Sequence, residues 1–335
     1  MTYAIETEGL VKRFGKVNAL SGLDLTARQG TVLGVLGPNG AGKTTAVRIL
    51  ASLMPPDGGI ARVCGYDVAR NPYEVRRIIG LTGQYAAIDE QLTGAQNISL
   101  VARLLGFKRT AARRRTSELL DRFGLGHAAD RKSQTYSGGM RRRLDLAVSL
   151  VGEPSVLYLD EPTTGLDPES RYELWDIVRG LVKGGSTVLL TTQYLDEADR
   201  LADDIVVIDG GVAIATGTPE ELKAKTDRQT LEIQPAADSD LEATQRIVEE
   251  LSGIRPVADG NRLRIQVSDT SLPSAVLRRL DESGIEVTEL ALRRPSLDEV
   301  FLSLTGSRGK KDRGPLTDQA TDEAVLAAQT ERSSS

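Results

Sequence analysis

The chain has 335 residues, 40% hydrophobic and 27% charged, the profile of a globular protein with room for one large domain and a smaller one. A net charge of −5 supplies no basic field for nucleic acid, and the single cysteine, Cys64, excludes an intrachain disulfide. No apolar run approaches the roughly 20 residues of a membrane helix, and Met1–Glu6 lacks the basic and apolar regions of a secretion signal, so any membrane work is expected to need another chain.

Residues 1–226 alternate short apolar strands with amphipathic helices, the pattern of an α/β domain on a largely parallel sheet. Thr31–Leu36 reads as a strand. Gly37-Pro38-Asn39-Gly40-Ala41-Gly42-Lys43-Thr44-Thr45 follows and fits G-x-x-x-x-G-K-[ST], a phosphate-binding loop. Glycines let backbone N–H groups turn onto an anion, Lys43 supplies charge for the outer phosphates, and the Thr44 hydroxyl can ligate Mg²⁺. A helix over 43–53 carries Ala46, Val47, Ile49, Leu50 and Leu53 on one face, and its N-terminus adds to the anion site. Ala61–Tyr66 reads as a strand that buries Cys64 as a small hydrophobe.

From about 85 to 150 the pattern is helical, with helices at 94–105, 110–123 and 138–151, which predicts an insert in the sheet domain. His127 lies in a loop there, and Lys108, Arg109 and Arg113–Arg115 read as a solvated helix face. Ser137-Gly138-Gly139 opens the third of these helices and makes a second anion site, 23 residues before Asp160. Glu153–Leu159 leads through an apolar strand (155–159) to Asp160 and Glu161. An acid at such a tip, beside a phosphate loop, suits an Mg²⁺ ligand, and the next, Glu161, suits a general base for water. A helix over 169–183 places Trp175 among Leu174, Ile177, Val178 and Leu181 as core. Strands at 186–191 and 204–208 flank a helix at 195–201. One chain with one nucleotide needs only one γ-phosphate site, so two anion loops predict a head-to-tail pair of copies.

After Thr226 the order becomes βαββαβ, with strands near 231–234, 254–258, 262–267 and 285–292, helices near 238–251 and 271–283, and a closing helix over 296–304 after Pro295. That order is ferredoxin-like. Polar residues dominate from Gly306, and 306–335 is expected to be a disordered tail.

Together these motifs resemble the ATP-binding subunits of ABC transporters over about 1–225. Gly37–Thr45 matches Walker A; Tyr136-Ser137-Gly138-Gly139-Met140 is similar to the Leu-Ser-Gly-Gly-Gln signature; Val156–Asp160 with Glu161 matches Walker B and the catalytic glutamate. Gly165-Leu166-Asp167 resembles the D-loop, Gln84 the Q-loop, and Phe14 the aromatic that stacks on adenine. The resemblance implies a RecA-like P-loop NTPase core with a helical insert, to which the βαββαβ order adds a small ferredoxin-like α+β domain at 227–305. It implies ATP and Mg²⁺ as ligands, with Thr44, Gln84 and Asp160 toward the metal, and Phe14, Gly37, Asn39, Gly40, Ala41, Gly42, Lys43, Thr44, Thr45, Gln84, Ser137, Gly138, Gly139 and Asp167 toward the nucleotide. Lys43, Glu161 and Gln193 are the expected catalytic set. Gln193 stands where the family usually has a switch histidine; it cannot become cationic, but its amide still donates a hydrogen bond.

Tyr136–Met140 with Arg141–Arg143, Thr191–Leu195, and Pro295–Phe301 further resemble the daunorubicin-resistance type of exporter ATPase, which works beside a separate permease. The expectation is thus an ATP-dependent homodimer, peripheral on the cytoplasmic side of the membrane, without nucleic acid as partner. The competing expectations are a nucleotide-gated regulatory ATPase with slow turnover and a soluble ABC ATPase outside transport.

Overall fold

The computed structural model describes residues 2–83, 88–224, 229–267, 271–293 and 296–306. Gln84, the proposed boundary at 226, Pro295 and the tail past Gly306 lie outside these residues. In chain order the elements are β1 (Tyr3–Phe14), β2 (Val17–Arg28), β3 (Val32–Leu36), α1 (Lys43–Leu50), β4 (Gly58–Val63), β5 (Tyr66–Asp67), α2 (Pro72–Ile78), β6 (Ile79–Thr82), α3 (Gly94–Leu104), α4 (Arg109–Arg122) and α5 (Gly138–Ser149). They continue as β7 (Val156–Asp160), α6 (Pro168–Lys183), β8 (Thr187–Thr192), α7 (Leu195–Leu201), β9 (Asp204–Asp209), β10 (Val212–Gly217) and α8 (Pro219–Ala224). The last group is β11 (Gln229–Pro235), α9 (Leu241–Ser252), β12 (Val257–Asp259), β13 (Arg262–Val267), α10 (Leu272–Glu282), β14 (Val287–Arg293) and α11 (Leu297–Gly306).

The central sheet runs β10-β9-β3-β8-β7-β6, parallel throughout except for the edge pair of β10 with β9. Every residue of β3, β7 and β8 is buried, which is why their apolar residues come in contiguous runs rather than alternating. The two faces nonetheless divide with period two. Val32, Leu157, Leu159, Val188 and Leu190 pack toward α3, α4, α5 and α6, while Leu33, Val35, Val156, Tyr158 and Leu189 pack toward α1 and an antiparallel sheet ordered β2-β1-β4-β5.

Local signals fix the insert. Thr93 caps α3 and accepts from the Gln96 backbone N–H at 3.2 Å, and the Gln96 side chain accepts from the Thr93 N–H at 2.9 Å, a reciprocal capping box. His127 is exposed, as expected. Arg115, expected in solvent, instead turns inward and donates to the Leu150 and Val151 carbonyls, because the end of α5 leaves those acceptors unpaired within the helix. Cys64 also departs from expectation. β4 stops at Val63, and Cys64 is half-exposed in the turn to β5 with φ of 47°, since a two-residue reversal requires the left-handed region.

The final group forms an antiparallel sheet ordered β12-β13-β11-β14, with α9 and α10 over one face and a core of Leu231, Ile233, Val248, Leu263, Val276 and Leu280. This is the βαββαβ arrangement. The closing helix α11 leaves that module. Its Leu297 and Val300 pack with Leu36, Ala198, Ile205, Val207 and Leu222 of the larger unit, while Glu299 accepts from the Thr230 hydroxyl of β11 at 3.2 Å. Leu297→Ala is expected to lower stability by about 2–5 kcal/mol, measured by urea denaturation; a loss below about 0.5 kcal/mol would show that this packing is not formed.

Candidate functional site

The site follows from strand register. In the adjacent parallel pairs Leu36 lies beside Thr192, Asp160 beside Thr191, and Thr82 beside Leu159. The C-terminal ends of β3, β8, β7 and β6 therefore open along one edge, and the chain leaves each of them into a loop. Beyond those ends lie the phosphate-binding loop, Gln193, Glu161 and Gly83. Ligands of open α/β sheets bind outside such carboxyl ends.

A cleft of about 410 Å³ lies there, lined by Ala19, Asn39, Lys43, Thr44, Glu161 and Gln193 among others. The loop's glycines have separable causes. A Cβ on Gly37 would sit 2.3 Å from the Ile208 carbonyl oxygen, and one on Gly42 would sit 2.5 Å from that of Ala19, so both are required by close backbone approach. Gly40 faces open space but takes φ of 79°, a turn requirement. Lys43 is buried and donates from Nζ to the carbonyls of Gly37 at 2.8 Å and Pro38 at 3.2 Å. Burial lowers its pKa, and the carboxylates of Glu161 and Asp160 oppose that shift. An ammonium held by carbonyl dipoles, beside an open cleft at a helix N-terminus, suits a polyphosphate.

Asp160 is buried at the tip of β7; its Oδ1 accepts from the Thr44 hydroxyl at 3.3 Å and from the Thr191 hydroxyl. A carboxylate beside a hydroxyl is the hard-oxygen donor pair that suits Mg²⁺. Glu161 follows with φ of 50°, and its N–H donates to the Thr191 carbonyl at 3.0 Å. This positive φ swings the side chain out of the sheet's alternation and into the cleft, where Gln193 also lies.

Ser137, Gly138 and Gly139 do not line that cleft. Ser137 caps α5 and accepts from the Met140 N–H at 3.2 Å; Ser137 and Gly138 are exposed. Gly139 is buried, and a Cβ there would meet the Ser170 hydroxyl at 2.4 Å, so the second loop is seated against the first turn of α6. Asp167 caps that same turn, accepting from the Ser170 N–H at 2.9 Å and hydroxyl at 2.8 Å, bonds that hold its carboxyl below the usual range. Phe14 ends β1, is 47% exposed with the Lys12 ammonium 5.9 Å from its ring, and is not among the cleft's lining residues; Ala19 of β2 is.

Beneath Gln193, α6 and α7 interlock. The Arg171 guanidinium stacks 4.9 Å from the Tyr194 ring, and the Trp175 indole donates at 3.1 Å to Glu197, which is fully buried. Trp175 is core, as expected, with a polar partner that periodicity could not reveal. Burial raises the Glu197 pKa, opposed by the hydroxyls of Thr192 and Thr163, the indole and Arg171. A carboxyl whose folded pKa is raised loses stability as pH rises from its unfolded value through its folded one. Glu197→Gln lacks that loss, so its stability relative to the native chain should improve between pH 4 and pH 8, measured by urea denaturation; a constant difference would contradict the buried acid.

Sequence reading missed Thr191, Thr164 and Arg142. Thr191 was visible beside Gln193, but only strand pairing shows its hydroxyl reaching Asp160. Thr164 lines the cleft and donates to Glu161 at 3.4 Å.

The sequence profile of the ABC transporter family covers residues 20–164, and that of the C-terminal domain of DrrA1-3-like ATP-binding proteins covers 217–305. The chain is 53% identical over 309 residues to the daunorubicin resistance ATP-binding protein DrrA2 of Streptomyces coeruleorubidus, covering 91% of this chain and 96% of that one. It is 51% identical over 326 residues to the daunorubicin/doxorubicin resistance ATP-binding protein DrrA of Streptomyces peucetius, covering 97% of both. Among solved structures, it is similar to cbiO1 from Clostridium perfringens, part of the ABC transporter complex cbiONQ, with a TM-score of 0.63, 28% identity, and coverage of 67% of this chain and 92% of that one.

Proposed function

The chain belongs to the ABC transporter ATP-binding subunits of the daunorubicin-resistance type and hydrolyses ATP, and from that premise we propose that it powers export of a hydrophobic, antibiotic-like compound through a separate membrane permease. No helix among the described residues is long and apolar enough to cross a membrane, and a subunit that drives a permease with ATP would sit peripherally on the cytoplasmic face. Residues 1–226 would be the ATPase unit and 227–305 the accessory unit.

The observation that carries the reading is the separation of the two anion loops. Lys43, Thr44, Asp160, Glu161 and Gln193 converge on one cleft, whereas Ser137 and Gly138 face solvent outside it. Two copies placed head to tail would complete each cleft with the Ser137–Gly139 loop of the other. Bound Mg²⁺, with Thr44, Asp160 and Gln84 as its protein ligands, would neutralise phosphate charge.

The remaining steps belong to the protein. Lys43 and the backbone N–H groups of Asn39–Thr45 orient the triphosphate of ATP. Ser137 and Gly139 of the second copy enclose it, with Asp167 adjoining the interface. Phe14 stacks on adenine. Glu161 accepts a proton from the attacking water, and the Gln193 amide donates to the γ-phosphate. Gln84 links the site to the permease.

Glu161→Gln should lower ATP turnover at least about 100-fold, with nucleotide affinity within a few-fold of the native chain. Gln193→Ala should lower turnover at least about fivefold. Steady-state phosphate release checks both: an active Glu161→Gln removes the assigned base, and full turnover in Gln193→Ala removes the switch role.

A further inference from the structure

Arg142 is the fifth residue of α5, the helix that the Ser137–Gly139 loop opens, and its side chain is 12% exposed. It does not point outward with Arg141, which pairs with Glu90 at 3.0 Å. Its Nε donates to the Pro162 carbonyl at 2.6 Å, one terminal nitrogen donates to the Gly83 carbonyl at 2.9 Å, and the other donates to the Asp160 carbonyl at 3.3 Å. The buried carboxylate of Asp145, one turn on, lies 3.5 Å from the guanidinium and offsets its charge.

The three carbonyls belong to two of the loops that leave the sheet edge. Asp160 and Pro162 flank Glu161, the residue held at φ of 50°. A non-glycine residue persists there only where its surroundings over-determine the backbone. The Glu161 N–H is fixed by the Thr191 carbonyl at 3.0 Å and hydroxyl at 3.2 Å, and Arg142 holds the carbonyl of the peptide before Glu161 and the Pro162 carbonyl one peptide beyond it. Gly83 directly follows Thr82, the last residue of β6. One planar guanidinium thus joins α5 to the turn that aims Glu161 and to Gly83 at the end of β6.

We propose that Arg142 is a positioning residue for hydrolysis, transmitting the seating of α5 to the Glu161 carboxylate and to the backbone at Gly83 without touching nucleotide itself. When a second copy's nucleotide draws the Ser137–Gly139 loop inward, the rigid first turns of α5 carry Arg142 with it, and the backbone on both sides of Glu161 follows. The inference rests on the two-copy reading above, but it concerns geometry inside one chain.

Arg142→Lys keeps the charge beside Asp145 and loses the fork, since one ammonium cannot reproduce three coplanar donors. Its turnover should fall about 10- to 100-fold, with nucleotide affinity, measured by displacement of a fluorescent ATP analogue, within about twofold. In the nucleotide-free protein, amide exchange over residues 160–164 should quicken. Arg142→Gln, with two donors on a planar amide, should fall between, and Arg141→Lys should leave turnover unchanged. The proposal is overturned by Arg142→Lys turnover within about twofold of native, by an equal loss of nucleotide affinity, by unchanged exchange, or by losses in both variants that only track a lowered melting temperature. If native turnover is present and Glu161→Gln is inactive while Arg142→Lys is normal, only this inference fails; if Glu161→Gln stays active, the underlying reading fails.

Discussion

The register of four parallel strands governs everything else in this molecule. β3, β8, β7 and β6 lie side by side with their C-terminal ends level, and this arrangement brings Lys43, Gln193 and Glu161 to one cleft. Parallel pairing requires each strand to be buried on both faces, with helices on one side and the β2-β1-β4-β5 sheet on the other. The apolar runs that end at Leu36, Asp160 and Thr192 therefore serve the site directly. They place polar backbone and carboxylates at the first point where the chain can reach solvent.

Within that frame, close contacts carry more of the design than single catalytic groups. Gly42 lets the phosphate loop press against the Ala19 carbonyl, and Gly139 lets α5 press against Ser170. Arg171 with Tyr194, and Trp175 with Glu197, then tie α6 to the segment bearing Gln193. Arg142 ties α5 to the turn bearing Glu161. The loop expected to meet a partner's nucleotide is thereby connected, through packed side chains, to both the proposed base and the proposed switch of its own chain. The accessory unit joins the same frame through Leu297 and Val300, which rest against α7 and α8.

Much of this was legible beforehand because it is local. The strands ending at Leu36, Asp160 and Thr192, the helix of Lys43–Leu50, and the βαββαβ order all follow from short-range periodicity and fall within a few residues of their observed bounds. The site's polar identities were likewise visible, since glycine loops and acids at strand tips announce themselves. What escaped was non-local or depended on backbone sign. The antiparallel sheet of β1, β2, β4 and β5 has strands half-exposed and interrupted by register shifts, which blurs alternation. Cys64 sits in a left-handed turn that its apolar neighbours disguised as strand. Arg142 was one arginine in a run of three, and only folding separates the one that turns inward from Arg141, which pairs at the surface.

The account turns on the site being half-built in one chain. The most direct measurement is the mass of Glu161→Gln by light scattering, without nucleotide, with ADP, and with saturating ATP and Mg²⁺. The account predicts a mass that doubles only with ATP and returns to that of the single chain when Ser137→Arg is added. A single-chain mass in saturating ATP, or a doubled mass that ignores Ser137→Arg, would contradict it.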